Sequence, residues 1–104
     1  MSEDGSDGLL LTERETEEGL LVAVCDADVL GKTFAEGEIS LSVSEEFYGG
    51  DPVSPDRVAD SLARCDTANL VGTTAVGVAI EHGFVEEGNI LEIDGTRHAQ
   101  LLWM

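Results

Sequence analysis

Basic residues are scarce in this sequence. Its 104 residues include only five lysines and arginines against 22 aspartates and glutamates, and the formal net charge at pH 7 is −17. Proteins that bind nucleic acid normally present a broad basic face that displaces counterions from the phosphates, and five basic residues cannot form one. This shortage disfavours RNA binding but does not exclude it, because counterion-driven binding is already weak in strong brine, where shape and stacking matter more.

Long apolar runs are absent as well. No run approaches the roughly 18 residues that a membrane-spanning helix needs, and residues 1–8 are acidic and polar, the reverse of a signal peptide. We therefore expect a cytoplasmic protein without a membrane partner. The chain has only two cysteines. Because Cys25 and Cys65 both lie in apolar contexts, we interpret them as buried small side chains and not as a disulfide.

Hydrophobic residues nevertheless make up 42% of the sequence. They form runs separated by glycine, proline and aspartate, a pattern that an acidic disordered tail does not have. The length allows one modest core, so we expect a disordered acidic arm over residues 1–8 and a single domain over residues 9–104. At molar salt the Debye length is roughly 3 Å, which screens the repulsion between surface carboxylates. The composition therefore predicts a folded protein adapted to strong brine.

Several segments have the composition of β-strands. Residues 20–25 are continuously apolar, which predicts a central strand covered on both faces, and residues 9–12 should pair with them in a hairpin. The alternation over residues 39–44 predicts a strand with one buried face. Asp94-Gly95, between the apolar flanks of residues 89–103, is a strong signal for a closing hairpin.

Two helices are predicted between these strands. The first begins at Ser54-Pro55, an N-cap followed by a proline at the first helical position, and ends near residue 68. Residues 69–72 are interpreted as a connection, since asparagine and glycine favour left-handed backbone, and Thr73 or Thr74 caps the second helix. This grouping predicts an α+β fold: a small single domain whose mostly antiparallel sheet is covered on one face by two consecutive helices.

Residues 26–34, a predicted turn or single helical turn, contain fragments of two ligand-binding loops. Gly31-Lys32-Thr33 has the form of the end of a phosphate-binding loop, but Asp26 stands where that loop requires a glycine. Asp26, Asp28 and Gly31 match three positions of a calcium-binding loop whose bidentate glutamate is missing. Neither loop is complete, so the sequence predicts no nucleotide and no calcium site here.

The histidines and cysteines are scattered singly, without the paired spacing of a zinc site and outside any nucleophile motif. We therefore expect no metal, no cofactor and no catalytic residue. His82 precedes a glycine at a predicted helix end, where it can satisfy the last carbonyl groups. His98 and Gln100 share one face of a predicted strand while Arg97 points away. A solvent-facing strand and a binding site explain this arrangement equally well.

Phe47 and Tyr48 precede two glycines within residues 45–52, a segment predicted to be irregular. Aromatic rings beside flexible glycines could stack on an exposed base. The alternative is that the pair closes the edge of a small core, and we favour that alternative because the chain has few aromatic residues.

Five short motifs follow one another along the chain: Cys25-Asp26, Leu30-Gly31-Lys32-Thr33-Phe34, Phe47-Tyr48-Gly49-Gly50, Asn69-Leu70-Val71-Gly72 and His98-Ala99-Gln100. In this order and spacing they closely resemble an archaeal family known as domain of unknown function 424. The resemblance runs from about Leu9 to the C-terminus, and the acidic arm looks like an addition. It implies a halophilic archaeal source and a small cytoplasmic protein of the kind described as RNA-binding or linked to translation, which is an association only.

The first function that we consider, and the one we rank highest, is a non-catalytic RNA- or ribosome-associated accessory protein. In it Lys32 and Arg97 contact phosphate while an aromatic ring such as Tyr48 stacks on a base. This hypothesis predicts a local basic patch on an acidic body. The candidate binding residues are Lys32, Thr33, Tyr48, Asn69, Arg97, His98 and Gln100.

Two alternatives stay open. A small-molecule-binding protein or enzyme would use a site formed by Lys32, Tyr48, Asn69 and His98, with His98 as general acid or base and Lys32 on an anion. It predicts a closed pocket around these residues. A protein–protein adaptor would instead use a sheet edge or the apolar end at residues 101–104.

Overall fold

The computed structural model describes residues 8–102, which form one sheet of six strands, a separate two-stranded hairpin and three α-helices. In chain order the elements are β1 (Leu9–Thr16), β2 (Gly19–Asp26), β3 (Thr33–Glu36), β4 (Ile39–Ser42), α1 (Glu45–Tyr48), β5 (Asp51–Pro52), α2 (Pro55–Arg64), β6 (Thr67–Val71), α3 (Thr73–Glu81), β7 (Leu91–Ile93) and β8 (Thr96–Leu102). Two short 3-10 helices, Ala27–Val29 and Glu87–Asn89, lie in the connections. The predicted N-terminal arm lies outside the described residues, apart from Gly8.

The six-stranded sheet has the order β5-β1-β2-β6-β8-β7. Only β2 and β6 pair in parallel, and the other neighbours are antiparallel. The predicted hairpins β1–β2 and β7–β8 are both present, and the second turns at Asp94-Gly95 as its sequence indicates. The predicted α+β class with a mostly antiparallel sheet is therefore confirmed. The apolar strand β2 is central, as expected from its continuous hydrophobic run.

Helices α2 and α3 cover one face of the sheet and enclose its main core. Ser54 caps α2 by accepting a hydrogen bond from the backbone N–H of Arg57, and Val58 and Leu62 are fully buried beneath it. The two helices are not consecutive, however, because α2 ends at Arg64 and β6 follows it. The prediction of a helix connection over residues 69–72 is therefore wrong. Leu70 lies instead on the central strand β6 and is buried in the main core. This burial outweighs the local turn signal.

A second, smaller core lies on the other face of the sheet. The β3–β4 hairpin and α1 cover it, so residues 26–34 and 45–52 hold more regular structure than predicted. Strand β4 is present, and its predicted buried face forms in part. Val43, which follows the strand, is buried in this core and Leu41 packs against it, whereas Ile39 is 51% exposed. The β3–β4 hairpin and α1 cover only part of this face of the sheet. Cys25 lies in this core and Cys65 in the main one, both as free thiols, as predicted.

The N-cap residue of helix α3 is Gly72 and not the predicted Thr73 or Thr74, and glycine has no side chain that could cap the helix. The carboxylate of Asp26, at the end of β2, instead accepts hydrogen bonds from the backbone N–H groups of Thr74 at 3.0 Å and Ala75 at 2.7 Å. These are orphan donors of the first helical turn. Asp26 therefore ties the helix to the end of the central strand.

Candidate functional site

Acidic residues are distributed unevenly between the two faces of the sheet. Neighbouring side chains along a strand point to opposite faces, and the strand register assigns every acidic position of the six strands to the helix-covered face. Those positions are Glu13, Glu15, Asp26, Asp51 and Glu92. Contacts support the assignment, since Glu13 reaches Ser61 of α2. The opposite face of the strands therefore carries no carboxylate.

The small core covers one end of that opposite face and leaves the rest accessible. We call the accessible part the acid-free face; it consists of Leu21, Thr67, Asn69, Leu91, His98, Gln100 and Leu102. Five of these seven residues lie on β6 and β8, which pair in antiparallel register. In a protein with a net charge of −17, an accessible surface without acids is a distinct feature.

Polar side chains occupy the middle of the acid-free face. Asn69 and Gln100 are direct partners across the β6–β8 ladder, so their side chains lie roughly 5 Å apart at the base. His98 precedes Gln100 by two residues on the same face. Within residues 8–102, none of these three side chains has a hydrogen-bond partner. Their amide and imidazole groups are available to a ligand.

Burial lowers the pKa of His98. The imidazole is therefore neutral at pH 7, with one nitrogen that donates and one that accepts a hydrogen bond. The centre of the acid-free face thus offers uncharged donors and acceptors, without a fixed charge of either sign.

Apolar side chains flank this polar centre. Leu91 lies beside His98 on β7 and is 40% exposed, and Leu102 lies beside Thr67 and is 62% exposed. Two large apolar side chains at the margins of a polar row can exclude water from hydrogen bonds formed between them. The face is therefore suited to recognition of a surface.

The edge nearest α1 combines a cation with an aromatic ring. The guanidinium of Arg14 lies 5.2 Å from the centre of the Phe47 ring and donates hydrogen bonds to the carbonyl groups of Glu46 and Phe47. The Phe47 ring packs edge-to-face on Tyr48 at 4.9 Å. Arg14 is thus held against α1, and it anchors that helix to the sheet.

Tyr48 is only 4% exposed and belongs to the small core. Burial, together with the nearby Cys25, raises the pKa of its phenol to about 12. Burial also raises the pKa of the Cys25 thiol to about 11, helped by Asp26 and Asp28. Both groups are therefore uncharged at pH 7 and pack as core residues, which is the alternative that the sequence favoured for the aromatic pair.

The remaining candidate residues lie apart from the acid-free face. Lys32 and Thr33 are exposed at the start of the β3–β4 hairpin, where the Thr33 hydroxyl lies 3.1 Å from that of Ser42. Arg97 points to the helix-covered face, as the strand alternation predicted, and its Nε lies 3.7 Å from a carboxylate oxygen of Glu92. Only Asn69, His98 and Gln100 of the candidate set share one accessible surface.

The other two arginines lie on α2. Arg64 contacts Glu13 at 2.7 Å, and Arg57 contacts the same carboxylate at 3.3 Å. A hydrogen bond from Ser61 and these two guanidinium groups lower the pKa of Glu13. Among the residues that the structure describes, Lys32 is the one basic side chain without an ion pair, ring or hydrogen-bond contact, and no basic patch forms.

Sequence reasoning missed the acid-free face because the face depends on strand register. One signal was available: Ala68 and Leu70 alternate with Thr67 and Asn69, the period of a half-exposed strand.

Within residues 8–102 no three metal-ligating side chains of histidine, cysteine or acid lie close enough together to hold an ion. In the same part of the chain, no helix has the length and apolarity to cross a membrane.

Comparison with known proteins gives one family and one similar structure. A family model described as protein of unknown function (DUF424) matches residues 13–104. A crystal structure of an uncharacterized conserved protein from Methanopyrus kandleri is similar with a TM-score of 0.75 and 29% sequence identity, over 92% of this chain and 94% of that chain. No curated protein matches. The resemblance inferred from the five motifs is confirmed, and it brings no described activity with it.

Proposed function

We propose, from the premise that the chain belongs to the family described as protein of unknown function (DUF424), that it is a non-catalytic RNA- or ribosome-associated accessory protein. One observation carries the proposal: Asn69, His98 and Gln100 converge on an accessible sheet face that holds no carboxylate. The family has no activity that could be transferred, so the proposal depends on this surface.

The first argument is electrostatic. Two like charges 4 Å apart repel each other by about 1 kcal/mol in water, so surface carboxylates oppose the approach of phosphates at low salt. At molar salt the repulsion acts only over roughly 3 Å. At that range, only carboxylates in direct contact with the RNA oppose its approach. A local face without acids is therefore sufficient for RNA to approach, despite the net charge of −17.

The second argument is the chemistry of the three polar side chains. Single-stranded RNA is recognised through the edges of unstacked bases, which are rows of uncharged donors and acceptors. The amides of Asn69 and Gln100 each offer both a donor and an acceptor. The neutral His98 imidazole offers one of each beside them. These groups match base edges better than they match phosphate.

The absence of a basic patch from the described residues sets how such binding depends on salt. Each phosphate contact in a single-stranded complex contributes a slope of about −0.7 to the plot of log affinity against log salt. With about one contact, the affinity should fall only about twofold between 1 M and 3 M salt. This weak dependence distinguishes base recognition from ordinary counterion-driven binding.

The test is sedimentation of the tagged protein from native lysate through a gradient held at molar salt, with and without ribonuclease. For the wild-type protein we expect ribonuclease-sensitive comigration with ribosomal subunits or RNA. The double variant Asn69→Asp/Gln100→Glu adds two carboxylates to the face without changing its shape. We expect this variant to lose at least tenfold of the comigration. Asn89→Asp is the matched control, because Asn89 is exposed outside this face, and it should comigrate like wild type.

Three results would contradict this assignment. Migration of the wild-type protein as a free small protein in both gradients would remove RNA and ribosome association. Undiminished comigration of the double variant would place the contact elsewhere. Comigration that survives ribonuclease digestion would favour a protein partner, for which the exposed Leu91 and Leu102 are a specific observation.

We also propose that the protein works in the cytoplasm of a halophilic archaeon, at molar salt. The midpoint of thermal unfolding should then rise by more than about 10 °C between 0.1 M and 3 M KCl, because screening relieves repulsion among the many surface carboxylates. Circular dichroism melts measure this. Equal midpoints at the two salt concentrations would contradict salt adaptation. So would an equal rise in sucrose, which strengthens burial without screening charge.

A further inference from the structure

A cavity of about 410 Å³ lies away from the acid-free face, at the end of the sheet. Glu36 at the tip of the β3–β4 hairpin, Thr73 at the start of α3, and Glu92, Asp94 and Arg97 of the β7–β8 hairpin line it. Its volume is in the range of sites for small ligands, roughly 300–1,000 Å³. The cavity is therefore large enough for a small organic molecule.

Arg97 gives this cavity an unsatisfied donor. Its Nε atom is buried and has no hydrogen-bond partner among residues 8–102, and the nearest oxygen of Glu92, at 3.7 Å, is too far for a hydrogen bond. Leaving a buried donor of a charged group unpaired costs free energy, because the group has lost its hydrogen bonds to water. A ligand carboxylate that accepts from this Nε would recover that cost.

The three carboxylates of the cavity lining, those of Glu36, Glu92 and Asp94, favour a ligand with positive charge. One oxygen of Glu36 accepts from the backbone N–H of Asp94 at 2.7 Å, and one oxygen of Asp94 accepts from the backbone N–H of Ala35 at 3.2 Å. Each group keeps a second oxygen free of these bonds, and the Glu92 side chain is 75% exposed. The lining thus holds three negative groups and a single positive group, Arg97.

We propose that this cavity binds a basic α-amino acid. The α-carboxylate of such a ligand would accept from Arg97 and from the Thr73 hydroxyl, while its α-ammonium group and its side-chain cation would face Glu36 and Glu92. One negative and two positive groups match the charges of the lining more closely than a simple anion or a neutral molecule would. The inference does not depend on the RNA proposal, since the cavity and the acid-free face have no residue in common.

The probes are L-arginine, agmatine, which lacks the carboxylate, and L-citrulline, which has the same shape as arginine but an uncharged side chain. Each is titrated into the full-length isotope-labelled protein at constant molar KCl, and backbone amide shifts are followed. We expect saturable shifts for L-arginine, concentrated at Thr73 and residues 92–97, with agmatine and L-citrulline binding at least fivefold more weakly. Shifts that do not saturate, or that spread over the acidic surface, would overturn the proposal.

Substitutions test the same geometry. Glu36→Gln and Arg97→Gln should each weaken L-arginine binding at least fivefold, whereas the exposed Glu38→Gln, on the same hairpin but outside the cavity lining, should leave it unchanged. Glu36 is exposed, so its variant is expected to fold even if Arg97→Gln does not. Wild-type affinity in Glu36→Gln, or an equal loss in Glu38→Gln, would contradict binding in this cavity.

Discussion

Replacing Gly72 with alanine should lower the free energy of unfolding by more than about 3 kcal/mol, through both backbone strain and a steric clash. Gly72 has φ +119° and ψ 151°, a conformation that is essentially restricted to glycine. A Cβ atom there would lie 2.3 Å from the carboxyl carbon of Asp26. That carboxylate cannot move away without releasing the first turn of α3. Denaturant unfolding at fixed molar salt measures the effect.

The same helix provides a matched control. Gly77 lies inside α3, where a Cβ atom would meet no neighbour within 4 Å. Gly77→Ala should therefore raise the free energy of unfolding by about 1 kcal/mol, because alanine is the better helix former. The two glycine-to-alanine changes should have opposite signs. A Gly72→Ala protein as stable as wild type would contradict the close approach of Asp26 to α3.

The elements that the sequence predicted well are those whose determinants are local. The β1–β2 and β7–β8 hairpins join strands through short turns, and α2 carries its own cap at Ser54. The prediction for the segment of strand β6 was wrong because the determinants of this strand are not local. Asn69 and Gly72 are good turn residues locally, but Leu70 pairs with Val24 of the distant strand β2 and with Ala99 of β8. Tertiary burial decides such a segment, and a local pattern does not contain it.

The candidate site was predicted in part for the same reason. Asn69, His98 and Gln100 could be named from their motifs, and the alternation of β8 separated Arg97 from His98 correctly. That Asn69 and Gln100 are neighbours depends on the register of two strands far apart in the sequence. The absence of carboxylates from their face becomes visible only once all six strands are aligned. Composition alone gave the charge of the protein but not its distribution.

The second large effect is expected at Asp26. Its carboxylate is the acceptor for the N–H groups of Thr74 and Ala75, 48 and 49 residues along the chain. Asp26→Ala leaves both donors without this partner and should lower the free energy of unfolding by about 2 kcal/mol. Asp28→Ala is the control, since Asp28 is exposed on the neighbouring 3-10 helix and should change stability by less than about 0.5 kcal/mol. Equal effects of the two changes would contradict the capping role.

Asp26 should also give the protein a characteristic pH dependence. Burial raises the pKa of Asp26 and outweighs the N–H groups of Thr74 and Ala75, which lower it. The folded protein therefore binds this proton more tightly than the unfolded chain does. The stabilising contribution of that proton is full below the ordinary aspartate pKa of about 4 and is lost as the pH rises through the folded pKa.

Asp26→Asn keeps an acceptor oxygen but does not titrate. The unfolding free energy of wild type minus that of Asp26→Asn should therefore fall as the pH rises across this window. A difference that grows with pH would mean that the backbone donors, and not burial, dominate the ionisation of Asp26.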